Sequence, residues 1–370
     1  MRKVTLIIAT VLSLCNLALA QIGIRGTITD EETGMPIEGA HVFVNGTQKG
    51  ALTDEKGTYH ITGVELRSFR LIISFVGYTS KAFDVEGLKG MLTIDGSLEG
   101  NAYDLGSVVV NSKRDRRRER NMKRFKEFFF GVNYDAEKIK IENEYGIDIT
   151  NGRGSRFSID NAPVLNVNND HLGYELYFQL QDFELGKRNF YFGYTQFINI
   201  QPDSESQAEQ WKKNRKGAYL GSMRHFFKAL IDDNVLEAGY EANMVTYVNG
   251  VELEISWNGK LRKSRPLEPR YSNFDSTRVK DLLEVEKGIY SISKIEDDLY
   301  LISFKDILEV DYLKREDENG RSQRSGMKLV EPLMVYSNGL IKNPESIKLM
   351  GYWSTLGIYD LLPLDYVPDH

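Results

Sequence analysis

His41, His60, His171, His225 and His370 are where metal or acid–base chemistry in this chain would have to begin. A zinc hydrolase draws on His-x-x-Glu in one element plus a distant third ligand, leaving one coordination position open for water. None of the five histidines has Glu three residues later, and His171 and Glu175 are one residue too far apart. No two histidines are neighbours in sequence, and Cys15 is the only cysteine. A metal centre therefore lacks ligands, and no metal, cofactor or catalytic residue is expected.

The densest polar constellation is Arg215, Tyr219, Ser222 and His225, spaced three or four residues apart on a helix expected from about Ser206 to Ile231. That spacing puts them on one helical face. Hydrolysis would use Ser222 as nucleophile, His225 as base and an acid from elsewhere. A helical Ser with His three residues on does not reach in-line geometry, and no Gly-x-Ser-x-Gly turn is present. The expectation is that Arg215 and His225 make polar contacts with neighbouring strands while Tyr219 packs, or that all four touch a ligand.

Aromatic rings stack on the apolar faces of sugars, and Tyr174, Tyr177, Tyr191, Tyr194 and Trp257 are the candidates. Tyr177 and Tyr191 are retained as ligand-binding residues. Tyr177 shares a strand face with Gln179, opposite Leu176 and Phe178. The sequence has no Walker loop and no Gly-x-Gly-x-x-Gly after a strand. Asn151-Gly152-Arg153-Gly154-Ser155 reads as a hairpin turn. Asn45-Gly46-Thr47, formally a glycosylation sequon, reads as another. Asp275-Ser276-Thr277 resembles a short O-glycosylation signal, and Asp297-Asp298 sits in a polar turn.

These residues need elements to hold them. Residues 1–20 show Arg2 and Lys3, an apolar core from Val4 to Leu14 and Ala18-Leu19-Ala20, the pattern of a secretory signal peptide cut before Gln21. Removing it leaves 45 basic against 53 acidic residues, a formal charge of about −8 that argues against nucleic acid as a partner. It also removes Cys15, so burial rather than disulfides must hold the fold. No later segment reads as a transmembrane helix. From Gly23 to Asn111, short alternating runs are separated by turn signals, among them Ile24–Thr29, Ala40–Val44, Tyr59–Ile61, Phe69–Phe75 and Val108–Val110. Seven or so strands at that spacing mean a sandwich. A basic helix then carries Phe125, Phe128 and Phe129 as an apolar stripe. It either docks on an anionic surface or packs its stripe on the second domain, and packing is the expectation. Beyond Gly131 the pattern is mostly β with one long helix, without a repeat period.

Four separated pieces occur in order within the first segment. They are Gly26-Thr27-Ile28-Thr29-Asp30, Pro36-Ile37-Glu38-Gly39-Ala40 running into Val42-Phe43-Val44, Thr53-Asp54-Glu55-Lys56-Gly57-Thr58-Tyr59, and Ser74-Phe75-Val76-Gly77-Tyr78. Together they resemble the carboxypeptidase-regulatory-like domain. The resemblance implies a transthyretin-like fold without catalytic groups, of a type that precedes the plugs of TonB-dependent receptors or stands in exported proteins of Bacteroidetes-type bacteria. Segments around Asn168–Tyr174, Arg215–Phe226 and Gly351–Tyr366 resemble exported proteins carrying the same module and imply no activity.

The expected fold is thus mainly β, with a Greek-key, transthyretin-like β-sandwich followed by an α+β domain. The expected segments are a signal peptide at 1–20, the sandwich at 21–111, a basic helical linker at 112–130 and a β-rich domain at 131–370. The expected role is a non-enzymatic cell-envelope protein of the periplasm or outer membrane, binding or assembling, and not a zinc carboxypeptidase. The alternatives are an exported glycan-directed hydrolase or an accessory protein of a TonB-dependent outer-membrane receptor. Partners would be outer-membrane receptor components or a surface glycan.

Overall fold

The computed structural model describes residues 22–100, 116–187, 189–248, 251–256, 261–266, 290–316 and 322–368. The expected signal peptide, Val108–Val110, Trp257 and Asp275-Ser276-Thr277 lie outside the described residues. The chain is mainly β and divides into two compact units. One comprises residues 1–126, 135–205 and 363–367, the other 127–134, 206–362 and 368–370.

The first unit opens with eight strands, β1 (Gly23–Asp30), β2 (His41–Val44), β3 (Gly50–Leu52), β4 (Thr58–Thr62), β5 (Phe69–Ser74), β6 (Lys81–Val85), β7 (Met91–Thr93) and β8 (Gly96–Leu98). One sheet has the order β4-β1-β7, with β8 also on β1; the other is β3-β2-β5-β6. β1 runs antiparallel to β4 and parallel to β7 and β8. Alternation does the sorting, as in β4, where Tyr59 and Ile61 are buried between exposed Thr58, His60 and Thr62. Ile24, Ile28, Val42, Val44, Leu71 and Ile73 meet them in the core.

The four recognised pieces are folding devices that find one another. The Asp30 carboxylate accepts from the Thr33 amide and hydroxyl and from Tyr78 Oη at 2.7 Å, so the ends of the first and last pieces are bonded. Those hydrogen bonds, led by the Thr33 amide, bring its pKa down to about 2. Gly57 has φ +70°, and a Cβ there would stand 2.4 Å from Ile28 O. Thr53 is buried, donates its hydroxyl to Ile37 O at 2.6 Å and accepts from Ala40 N at 2.8 Å. Thr53→Val keeps the shape and strands both partners, so equilibrium urea unfolding should show a loss of about 1–3 kcal/mol. A loss near zero would remove Thr53 from the sandwich's hydrogen-bond framework.

The same unit then adds α1 (Arg116–Phe130, its last residues belonging to the second unit) and six strands. These are β9 (Ile139–Ile141), β10 (Asp148–Asn151), β11 (Phe157–Asn161), β12 (Leu165–Asn169), β13 (Tyr174–Leu185) and β14 (Phe190–Asn199), in the order β10-β11-β13-β12-β9 with β14 also on β13. The basic side chains of α1 serve carbonyls of the β10 region. Arg118 donates to Ile147 O, Arg117 to Gly152 O and Arg124 to Ser155 O. Phe125 is buried edge-on against Phe183, 5.1 Å between ring centres. The helix thus packs Phe125 inward, and two of its charges, Arg117 and Arg124, hold the Asn151–Ser155 hairpin turn.

In the second unit α2 (Glu205–Tyr219) and α3 (Met223–Ile231) precede β15 (Tyr240–Val248), β16 (Val251–Ser256), β17 (Leu261–Pro266), β18 (Tyr290–Glu296), β19 (Leu299–Phe304), β20 (Ile307–Glu316), β21 (Ser322–Leu329), β22 (Leu333–Tyr336) and β23 (Ile347–Gly351). The sheets are β17-β16-β15-β20-β21-β23 and β18-β19-β22. The core gathers Phe226, Phe227 and Leu230 of α3 against Tyr240, Leu308, Val310, Met327, Val335 and Trp353. The helix expected from Ser206 to Ile231 is therefore two helices. Gly221 has φ +83° and sits where a Cβ would come 2.8 Å from the Tyr312 ring, while Ser222 begins a new helix as its N-cap.

Candidate functional site

The break between α2 and α3 places the expected residues differently from one continuous helix. Arg215 and Tyr219 lie on α2, while Ser222 and His225 lie at the start of α3, so the four do not share a single helical face. Ser222 Oγ accepts from the backbone N–H of His225 at 3.1 Å, the capping bond, and the imidazole takes no part in it. His225 Nδ1 lies 2.9 Å from Tyr240 Oη and accepts from Gly221 N at 3.3 Å, which puts the ring proton on Nε2. Trp353 Nε1 donates to Gly221 O at 2.8 Å, and Tyr240 Oη lies 3.1 Å from Ser222 O. The rings of Tyr219, Tyr240 and Tyr312 stand 5.2, 5.2 and 6.1 Å from His225. Arg215 is half-buried.

Burial, helped by Lys314 and Lys228, lowers the His225 pKa to about 4. Burial likewise raises Asp360 to about 6, against the opposing pull of Arg315. The two act in opposite directions on acidification. A His whose folded pKa is depressed costs stability as pH falls from its ordinary 6.5 towards 4, because only the unfolded chain takes the proton. An Asp whose folded pKa is raised adds stability as pH falls from about 6 to its ordinary 3.8. Asp360→Asn removes the second effect, so urea unfolding at a series of pH values should show a steeper acid loss than the parent. An unchanged slope would mean Asp360 does not titrate in this window.

In the first unit Tyr177 and Tyr191 are half-buried on β13 and β14. The alternation expected on β13 holds, with Leu176 and Phe178 buried and Tyr177 and Gln179 on the other face. That face meets the sandwich. The Tyr177 ring lies edge-on to His41 at 5.9 Å, and Gln179 Nε2 donates to Ser80 Oγ at 2.5 Å. Tyr191 packs across Phe178 at 6.0 Å, and burial raises its phenol to about 12. Tyr174 is core, and Tyr194 stacks edge-on with exposed Phe192 at 5.4 Å. Tyr177 and Tyr191 thus lie in the first unit, and the helix-break residues in the second.

Asn45-Gly46-Thr47, expected as a local hairpin turn, does join β2 to β3. Its polar groups, however, are bonded outward. Gly46 N donates to Thr195 O at 2.6 Å, Phe197 N to Thr47 O at 2.9 Å and Thr195 N to Asn45 Oδ1 at 2.8 Å. On the other side Leu364 N donates to Gly46 O at 2.7 Å, and the Asp365 carboxylate accepts from Gln48 N. The turn is clamped between β14 and residues 363–367, all within the first unit. Asn-Gly is the signal for the turn; nothing in the residue types signals the clamp, which is largely backbone. Among the described residues no group of three or more His, Cys, Asp or Glu is arranged to hold a metal.

A sandwich of two four-stranded sheets, locked by an Asp–Tyr bond and a Thr-Asp turn, is the module that the sequence pieces mark. Residues 24–110 match the model of the CarboxypepD_reg-like domain, and the chain carries that domain. Over 91 residues it is 35% identical to TonB-dependent receptor P39 of Formosa agariphila, which is 25% of this chain and 8% of that protein. Over 162 residues it is 27% identical to TonB-dependent receptor SusC of Bacteroides thetaiotaomicron, 41% of this chain and 15% of that protein. The chain thus spans a small part of the curated relatives it matches. A solved Cohesin-X-Dockerin complex from Acetivibrio cellulolyticus aligns with 31% of this chain and 78% of its own at 20% identity, with a TM-score of 0.20, too slight to bear on the fold. No helix among the described residues is long and apolar enough to cross a membrane.

Proposed function

We propose that this chain is a non-enzymatic cell-envelope protein in which the CarboxypepD_reg-like sandwich, residues 21–111, serves binding or assembly. The observation that carries the reading is the domain match over residues 24–110 together with its 35% identity to a TonB-dependent receptor. The geometry agrees with it, since the Ser222 hydroxyl and the His225 Nδ1 are engaged in holding a helix start rather than facing each other. Tyr177, on the central strand β13, and Tyr191, on β14, remain candidates for ligand contact, and Arg215, Tyr219, Ser222 and His225 for contact in the second unit. The partners proposed are components of an outer-membrane receptor.

The test is fractionation and crosslinked co-purification of the tagged full chain from its native cells. Recovery with outer membranes and with a TonB-dependent receptor supports the reading. Recovery in the cytosol sinks it, as does hydrolysis of peptide, ester or glycoside substrates that Ser222→Ala or His225→Ala abolishes.

A further inference from the structure

The clamped turn holds a bond with chemistry of its own. In an Asn-Gly pair the glycine nitrogen can attack the asparagine side-chain carbonyl, because glycine has no Cβ to crowd the approach. For Asn45-Gly46 the Gly46 N–Cγ bond forms, the Cγ–Nδ2 bond breaks, and ammonia leaves while the Gly46 amide proton passes to solvent. Water then opens the five-membered imide at either carbonyl, giving Asp or isoaspartate at position 45. Water is the sole co-reactant and nothing is oxidised or reduced.

In the docked turn each participant is held away from this path. The Gly46 N–H is bonded to Thr195 O at 2.6 Å, so the nucleophile keeps its proton. Asn45 Oδ1 is fixed by Thr195 N–H at 2.8 Å, so the side-chain amide is held in register with β14 and cannot swing onto Gly46. Leu364 covers the glycine, where a Cβ would stand 2.9 Å from its Cδ1, and Thr47 is 1% exposed.

We propose that Asn45-Gly46 is a latent modification site gated by this clamp. While the turn is docked on β14 and on residues 363–367 the bond is inert. When the turn opens, the imide forms, and isoaspartate adds a methylene to the backbone between Asn45 and Gly46. The added atom shifts Gly46 N and Thr47 O out of register with Thr195 and Phe197, so the turn cannot redock. For the isoaspartate product the outcome is a permanent release of the sandwich turn from the neighbouring sheet, which records that the clamp has opened.

Two other Asn-Gly pairs among the described residues serve as rulers. Asn151-Gly152 is exposed at the β10–β11 turn, with Asn151 Oδ1 accepting from Asn121 Nδ2 at 2.7 Å and Gly152 N donating to Arg156 O at 3.0 Å. Asn338-Gly339 belongs to the second unit, with Gly339 N on Tyr336 O at 2.8 Å and Asn338 Oδ1 accepting from Leu340 N at 3.1 Å.

The experiment ages the purified full chain in mildly alkaline ¹⁸O-labelled water and maps deamidation at each pair by peptide mass spectrometry. Native protein, protein in urea, and the variants Leu364→Ala and Asp365→Ala are compared. Local closure should slow Asn45 by about tenfold or more relative to urea and hold it behind Asn151. Either variant should speed Asn45 several-fold while Asn151, in the same unit, and Asn338 keep their parent rates; a variant that speeds either of those has unfolded, and the comparison of native with urea-treated parent then decides. Conversion of Asn45 in the native parent as fast as in urea overturns the proposal. So does an Asn45 rate that neither folded variant changes.

Discussion

Gly26→Ala should unfold the sandwich at far lower urea than the parent. Gly26 lies on β1, where that strand is flanked by β4 and β7, and a Cβ there would fall 1.8 Å from Ile94 O and 3.0 Å from the Tyr59 ring. The obstacle is backbone, so no rotamer change relieves it. Ile94 is held from two sides, donating to Arg25 O at 2.8 Å and accepting from Tyr59 Oη at 2.7 Å. Making room means breaking both bonds and leaving the buried Tyr59 hydroxyl without its acceptor. The expected cost is about 3 kcal/mol or more, the upper end for overpacking with lost hydrogen bonds. Hydrogen exchange should place the loss in β1, β4 and the segment after β7. A change within the noise would mean that β1 has space at Gly26 that the contacts deny.

Phe226→Ala should do comparable damage in the second unit. Phe226 is fully buried, with Phe227, Tyr240 and Trp353 around its ring at 5.5, 5.3 and 5.6 Å. Removing it opens a cavity beside the residues that hold the α2–α3 break, at a cost of about 3–5 kcal/mol. Amide exchange should accelerate across α3, β15 and β20 while the strands of the sandwich core keep their protection. Equal acceleration in both units would contradict their separate cores.

Legibility in the sequence tracks how local each signal is. The sandwich strands were legible because alternation and Gly or Asp turns act over a few residues, as in Thr58–Thr62 and Asp54–Gly57. β8 went unseen, since Gly96-Ser97-Leu98 offers one apolar residue and pairs with β1 far away in the chain. The α2–α3 break was written in Leu220-Gly221-Ser222, a glycine followed by a capping residue, yet the apolar period runs through it and reads as one helix. Its cause, the Tyr312 ring beneath Gly221, comes from a strand about ninety residues later. For the same reason the candidate site was legible as residue types but not as geometry. Ser222 and His225 were visible as a pair, while the bonds that occupy them come from the His225 backbone N–H, Tyr240 and the backbone of Gly221.

The bond between Gln48 and Asp365 spans 317 residues. Its two halves leave the ribosome, and pass any export channel, well apart in time. The opening module can therefore collapse early and its hairpin loop can dock on β14, but Gly46 O and Gln48 N stay bare until Leu364 and Asp365 have emerged. A chain stalled or cleaved before residue 363 would keep its early layers and lack the closing piece, presenting open backbone donors and acceptors to whatever quality-control machinery surveys that compartment.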